Sequence, residues 1–214
     1  MKVEKISELT TNRLSVYLRC LNELLAENTK TVSSDKLAKR FHLNSAQIRK
    51  DLACFGEFGV RGVGYYVGDL RDHIQKILGL DKDHRVGIIG AGRLGMALTD
   101  YYAFTQTNFD VVALFDNDKK KIGQQIGEVE VFDFKDFAKI AKRNKIDVAV
   151  IAVPAAFAQN VLEELVDAGI KAVMNFAPTP LKVSKDVKLK TIDLTISLES
   201  LSYFLSKPRN NGKI

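Results

Sequence analysis

The chain has 214 residues, 46% hydrophobic and 27% charged, with 32 Lys+Arg, 26 Asp+Glu, three His, two Cys and no Trp. Such a length holds one or two domains of ordinary globular composition, which excludes disordered and fibrous classes. No apolar run approaches the ~20 residues of a membrane span, Met1–Lys5 lacks the apolar segment of a secretory signal, and Cys20 and Cys54 fit neither metal nor CxxC spacing. A cytoplasmic chain with free thiols and no metal site is the expectation.

The net charge of +6 divides into +4 over residues 1–80 (13 basic, 9 acidic) and +2 over residues 81–214 (19 basic, 17 acidic). Between 30 and 50, Lys30, Lys36, Lys39, Arg40, Arg49 and Lys50 stand against Asp35 alone. This local excess suits a polyanion, and a solvated helix face equally.

The first helix is expected to start after Thr10-Thr11-Asn12, which offer N-caps. Leu14, Tyr17, Leu18, Leu21, Leu24 and Leu25 recur at helical spacing and face a core. Ser33 or Ser34 caps a second, short helix carrying Leu37, Ala38 and Phe41. His42-Leu43-Asn44 makes a tight turn, and Asn44 or Ser45 caps a third helix whose Ile48, Leu52 and Phe55 point inward. Two short helices joined by such a turn form a helix-turn-helix. The third leaves Ser45, Gln47, Arg49 and Lys50 exposed. Gln bonds adenine in bidentate fashion, and Arg or Lys bonds guanine or phosphate. A small helical dimerisation module with a polar face fits the same pattern.

Gly59 to Val67 reads as a Gly-punctuated hairpin with Arg61 and Gly62 at its tip. Behind a recognition helix it would be a wing reaching phosphate or minor groove. Asp69 to Leu80 is then a connecting helix. A winged-helix DNA-binding domain is therefore placed at residues 1–80, ending in the polar turn Gly79–Asp83.

Arg85–Ile89 is a strand running into Gly90-Ala91-Gly92-Arg93-Leu94-Gly95, an intact GxGxxG, with a helix after it carrying Leu94, Ala97, Leu98 and Tyr101. Between a strand and a helix this is the dinucleotide fingerprint. The first glycine allows the turn, the second lets the pyrophosphate approach, and the third lets helix and strand pack. Asp110–Phe115 is the second strand. Asp116 closes it 21 residues beyond Gly95 (116 − 95), the position of the ribose-binding acid, with Asn117 following. A carboxylate there favours NAD(H) over NADP(H), although Lys119, Lys120 and Lys121 stand nearby. A vestigial Gly-rich turn in an ordinary α/β fold is the competing reading.

Asp147–Val153 is a central parallel strand broken by Pro154; Phe157–Ala168 is a helix and Lys171–Asn175 a strand. Val153 and Pro154, with Asn175, Ala177 and Pro178 on the same rim, are candidates for the nicotinamide half, or simple turn chemistry. The fold class is α/β: an N-terminal winged helix-turn-helix, a Rossmann doubly wound parallel sheet over 81–193, and a C-terminal amphipathic helix and tail over 194–214.

No His follows His84. The Rossmann region leaves no length for a substrate domain, so no catalytic residue is assigned. The nucleotide is expected to be a ligand. The NADH ring is neutral and the NAD+ ring cationic, so a closed apolar pocket prefers NADH. Two other classes remain: an NAD-dependent oxidoreductase with an N-terminal interaction module, and a CoA- or nucleotide-binding protein on a similar fold.

The sequence resembles the Rex family, redox-sensing transcriptional repressors of bacteria, over nearly its whole length. The residues that carry the resemblance are Tyr17-Leu18-Arg19, Gln47-Ile48-Arg49-Lys50-Asp51-Leu52, Phe55-Gly56, Arg61-Gly62-Val63-Gly64-Tyr65, Gly90 to Gly95 and Asn175-Phe176-Ala177-Pro178. The resemblance implies a homodimer with a C-terminal helix exchanged between subunits. It implies a near-palindromic double-stranded DNA operator, released when NADH binds. It also implies a switch in which Asp193 pairs with Arg19 in one state and with Tyr101 of the other subunit in the other. No role is carried onto Cys20 or Cys54.

Overall fold

The computed structural model describes residues 6–101 and 107–206; Met1–Lys5 and the tail 207–214 of the expected C-terminal segment lie outside the described residues. The chain divides into two compact units, Met1–Lys82 and Asp83–Ile214.

In the first unit, α1 spans Glu8–Ala26, starting earlier than expected because the Ser7 hydroxyl accepts from the Thr10 N–H at 3.1 Å and caps it. Thr11 lies inside the first turn, where its hydroxyl donates to the Glu8 carbonyl. The buried stripe is Leu14, Tyr17, Leu18, Cys20, Leu21 and Leu24. A two-residue strand, β1 (Thr31–Val32), precedes α2 (Ser34–Phe41), which Ser33 caps. His42 takes the left-handed conformation (φ 53°) that ends α2, and Asn44 caps α3 (Ser45–Ala53) by accepting from the Gln47 N–H.

The hairpin expected at 59–67 takes another form. Tyr65–Tyr66 (β2) pairs antiparallel with β1, Thr31 opposite Tyr66 and Val32 opposite Tyr65. Residues 60–64 form a loop closed by one bridge, Val60 to Gly64. Gly64 has φ +96°, and a Cβ there would lie 2.5 Å from the Val32 carbonyl oxygen. Only glycine lets the wing lie against β1. α4 spans Val67–Ile77. Leu14, Leu21, Leu37, Ile48, Leu52, Val67, Leu70 and Ile74 make this unit's core. Ile48 is fully buried, so its truncation to Ala would cost ~2–5 kcal/mol and loosen α3.

The second unit is a seven-stranded sheet in the order β5-β6-β4-β3-β7-β8-β9. The strands are β3 (His84–Ile89), β4 (Phe109–Asp116), β5 (Gln125–Ile126), β6 (Val129–Asp133), β7 (Val148–Ile151), β8 (Ala172–Asn175) and β9 (Lys188–Thr191). All neighbours pair parallel except β5 with β6. Among the described residues, the α-helices are α5 (Arg93–Thr99), α6 (Phe137–Asn144), α7 (Ala155–Asp167) and α8 (Leu194–Ser206). Alternate residues feed opposite faces. Ile89, Ala113, Phe115, Ala149 and Ile151 pack with α6 and α7, whereas Val86, Ile88, Leu114 and Val150 face the other side. The chain leaves β3 toward β4, and β7 joins on β3's other flank. Strand order therefore reverses at the carboxyl end of β3, where such sheets bind ligands.

α5 ends at Thr99, so Tyr101 lies two residues beyond it and not on it, as the sequence reading had it. The strand read at 147–153 is shorter, since Ala152 to Pro154 leave the sheet as a loop.

Candidate nucleotide pocket and nucleic-acid face

β3 delivers Gly90 to the switch point with φ +106°. A Cβ on Gly90 would lie 2.5 Å from the Ala152 carbonyl oxygen, so the turn can pass β7 only as glycine. Gly95 packs α5 onto the turn: its Cβ would come within 1.9 Å of the Gly90 carbonyl oxygen. Gly92 is different. A Cβ there meets nothing within 4 Å, so its backbone opens onto free space.

Beside this turn lies a cavity of about 610 Å³, walled by Gly90, Gly92, Phe115, Asp116, Asn117, Lys121, Val153, Pro154 and Phe157 among others. Of the expected contacts, the cavity thus gathers Gly90, Gly92, Asp116, Asn117, Val153 and Pro154. Ala91 is buried behind it, with its N–H donated to Asp116 Oδ2 at 3.0 Å. Arg93, Leu94, Gly95, Asn175, Ala177 and Pro178 are not among its walls. Val153 and Pro154 line the same cavity as Asp116.

The Asn175 side chain is fully buried and turned into its own loop. Its Oδ1 accepts from the Ala177 N–H at 2.9 Å and its Nδ2 donates to the Ala177 carbonyl at 3.0 Å. Of the two readings of this rim, turn chemistry describes what that side chain does here. Ala177 is buried and Pro178 exposed.

Asp116 is nearly buried, and its carboxylate accepts from the Ala91 and Asp118 N–H groups and from Lys121 Nζ at 2.9 Å. Burial pushes its pKa up, but Lys121 and the two backbone donors outweigh burial and hold it below the usual carboxylate range. A carboxylate has about four acceptor positions, so one stays free for a ribose hydroxyl and a second requires Lys121 to move. Lys121 is one of the cavity residues that spacing could not assign; among three consecutive lysines, nothing in the sequence singles it out.

In the first unit, Arg49, Lys50, Arg61 and Gly62 are exposed, and Ser45 and Gln47 are half-buried. Arg49 donates to the Ser34 hydroxyl at 2.7 Å and lies 3.5 Å from Asp35. Ser45, and then Arg49, hold the Asp35 carboxyl below its usual range. Sequence reasoning gave Asp51 no role, yet it is a buried carboxylate, 2% exposed, on the recognition helix. Arg13 reaches it with Nε at 2.6 Å and Nη2 at 2.7 Å, Tyr17 with its hydroxyl at 2.8 Å, and Gln47 with Nε2 at 2.8 Å. Burial raises the Asp51 pKa, and these donors, Arg13 first, more than reverse it. The same burial, with Asp51 alongside, pushes the Tyr17 hydroxyl up.

Arg19 is exposed. Asp193 caps α8, its Oδ1 accepting from the Thr195 N–H at 2.8 Å. Every residue of α8 is exposed, including Leu198 at 66%, Phe204 at 68% and Leu205 at 86%.

A helix-turn-helix with a wing, joined to a Rossmann sheet bearing an open glycine turn, defines a class: two-domain proteins with a nucleic-acid-reading unit and a nucleotide-type unit. Family profiles divide the chain the same way. One described as "Putative DNA-binding protein N-terminus" matches residues 5–53, and one described as "CoA binding domain" matches residues 81–179. The redox-sensing transcriptional repressor Rex of Carboxydothermus hydrogenoformans is 48% identical over 95% of this chain and 98% of its own. That of Desulfitobacterium hafniense is 45% identical over 95% and 97%. A solved structure of RSP in complex with β-NAD+ and operator DNA matches with a TM-score of 0.91 at 41% identity, over 94% of this chain and 93% of that one. RSP in complex with β-NADH matches with a TM-score of 0.83 at 40% identity, over 94% and 95%. The chain belongs to the Rex family of redox-sensing transcriptional repressors.

Proposed function

We propose that this chain is a redox-sensing repressor that binds operator DNA through α3 and the wing and carries NAD(H) on the Gly90–Gly95 turn as a regulatory ligand, with NADH preferred. The observation that carries this reading is the glycine turn with Asp116 at the next strand end, on one chain with a winged helix-turn-helix. It agrees with relatives named repressors and with an RSP structure holding both β-NAD+ and operator DNA. The chain is a repressor and not an enzyme: its relatives are named for repression.

The residues present fit a dinucleotide. The open backbone at Gly92 would receive the pyrophosphate, Asp116 a ribose hydroxyl, and the apolar walls Phe115, Val153, Pro154 and Phe157 the adenine ring. CoA carries a phosphate on its adenosine ribose, which the Asp116 carboxylate disfavours, so the dinucleotide reading is preferred over CoA. When bound, the group supplies a ring that is cationic when oxidised and neutral when reduced.

We further propose a cytoplasmic homodimer in which α8 covers its exposed apolar residues on a second subunit. An apolar surface of this kind on a monomer marks an interface. Arg61 and Gly62 at the wing tip, with Ser45, Gln47, Arg49 and Lys50, would contact DNA. Asp193 would leave its capping role to pair with Arg19 in one state and with Tyr101 of the other subunit in the other. Among the described residues no helix is long and apolar enough to cross a membrane.

The test is anisotropy of a labelled duplex selected by the protein, titrated separately with NADH and NAD+. Release by NADH at concentrations where NAD+ leaves the complex intact supports the reading. Equal release by both sinks it.

A further inference from the structure

The buried carboxylate of Asp51 stands on the helix that carries the DNA-reading side chains, but it cannot itself reach a base. Its four acceptor positions are filled: Oδ2 by Arg13 Nε and the Tyr17 hydroxyl, Oδ1 by Arg13 Nη2 and Gln47 Nε2. The fourth partner matters most. Gln47 and Asp51 are four apart on α3, so their side chains meet on one face.

We infer that Asp51 is a positioning residue that fixes the Gln47 carboxamide in one of its two flips and thereby sets which base Gln47 reads. An ionised carboxylate only accepts, so Gln47 must turn its nitrogen toward it. Its Oε1 and one remaining N–H are left for a base edge. That acceptor-donor pair matches the N6 and N7 edge of adenine in the major groove. A free carboxamide could turn over, place its groups in reversed order, and lose the discrimination. Arg13 and Tyr17, both from α1, hold the carboxylate in place while it holds Gln47. This inference rests on the proposed reading that Gln47 faces DNA.

The test uses the full-length protein and a duplex pool with a randomised core, sequenced after selection. Wild type is compared with Gln47→Ala, Asp51→Asn and Tyr17→Phe. Gln47→Ala should flatten the preference at one base pair per half-site, by about tenfold or more. Asp51→Asn, which offers donors as well as acceptors, should flatten the same position and spare the others, with the salt dependence of binding unchanged. Tyr17→Phe removes one bond but leaves the Gln47 contact, so it should lower thermal stability and leave the selected sequence as it was. Should Asp51→Asn fail to fold, the combination Arg13→Met, Tyr17→Phe, Asp51→Leu clears the cluster without stranding a buried charge, and the same flattening is expected. A uniform loss of affinity at all positions in the Asp51 variants, with the preference intact, overturns the positioning role. A Gln47→Ala protein with an unchanged preference instead removes the underlying reading of Gln47.

Discussion

Replacing Gly92 with Ala separates folding from ligand binding. Gly92 has φ −86° and ψ −173°, a conformation any residue adopts, and an added Cβ meets nothing within 4 Å. Folding should therefore be unharmed. Gly92 is the N-cap of α5, where Gly is preferred to Ala, and this offsets the gain from reduced freedom of the unfolded chain, so ligand-free stability should change by less than ~1 kcal/mol. The same methyl occupies the space into which a pyrophosphate must come. Overpacking of one carbon costs ~1–3 kcal/mol, which weakens NADH binding by roughly 5- to 150-fold. In thermal unfolding at an NADH concentration ~100 times the wild-type Kd, wild type gains ~2.7 kcal/mol from the ligand, and the variant would gain only ~0.3–1.8 kcal/mol. Unfolding curves with and without NADH, beside a direct fluorescence titration, give both quantities. Wild-type affinity for NADH in Gly92→Ala would refute the placement of the dinucleotide on this turn. So would a fall in ligand-free stability well beyond ~1 kcal/mol, more than the N-cap change accounts for, since it would mean the space is not open.

Asp116→Ala should weaken NADH binding in the same titration and leave duplex binding intact. It strands the Ala91 and Asp118 N–H groups, so a stability loss of ~1–3 kcal/mol is expected as well. Arg49→Ala should weaken or relax duplex recognition by ~1–3 kcal/mol if its contact is bidentate, measured by anisotropy at several salt concentrations. The Asp51 carboxyl is held below its unfolded value, so the stability it contributes is present above the unfolded pKa near ~3.9 and is lost as pH falls below it. The Tyr17 hydroxyl is raised, so its contribution is present below an unfolded pKa near ~10 and lost as pH rises above it. Chemical denaturation across pH should show both edges in wild type. Asp51→Asn should remove the acid edge in part, and Tyr17→Phe the alkaline edge in part.

The parts of the fold that were legible in sequence are those governed by local period and cap chemistry. The strands β3 and β7 read as short apolar runs because both of their faces are buried, and Ser33 and Asn44 mark α2 and α3 by the hydroxyl or amide each gives to an orphan N–H. β1 was not legible, because Thr31–Val32 has only two residues in a polar stretch and exists through Tyr65–Tyr66, over thirty positions away. The short edge strands β5 and β9 lack a buried period for the same reason. At the pocket, the glycines and Asp116 were readable because the backbone demands them. Lys121 was not, since it is one of three consecutive lysines beside Asp116, and the Asp51 cluster was not, since it depends on α1 groups over thirty residues away that the fold brings within 3 Å. Asn175 shows the converse: its type and place on the rim suggested a ligand contact, while its amide satisfies the backbone of its own turn.

The central claim is that one chain reads DNA and the redox state of NAD(H) together. Binding coupled in this way is reciprocal, so NADH must weaken DNA binding by the factor by which DNA weakens NADH binding. The most direct measurement is occupancy of a selected operator duplex at a fixed total nucleotide concentration, with the NADH/NAD+ ratio varied. Occupancy is predicted to fall steeply as the ratio rises, and in Gly92→Ala the same fall should need a roughly 5- to 150-fold higher total nucleotide concentration. Occupancy that stays flat in wild type, with NADH binding intact, would contradict the account.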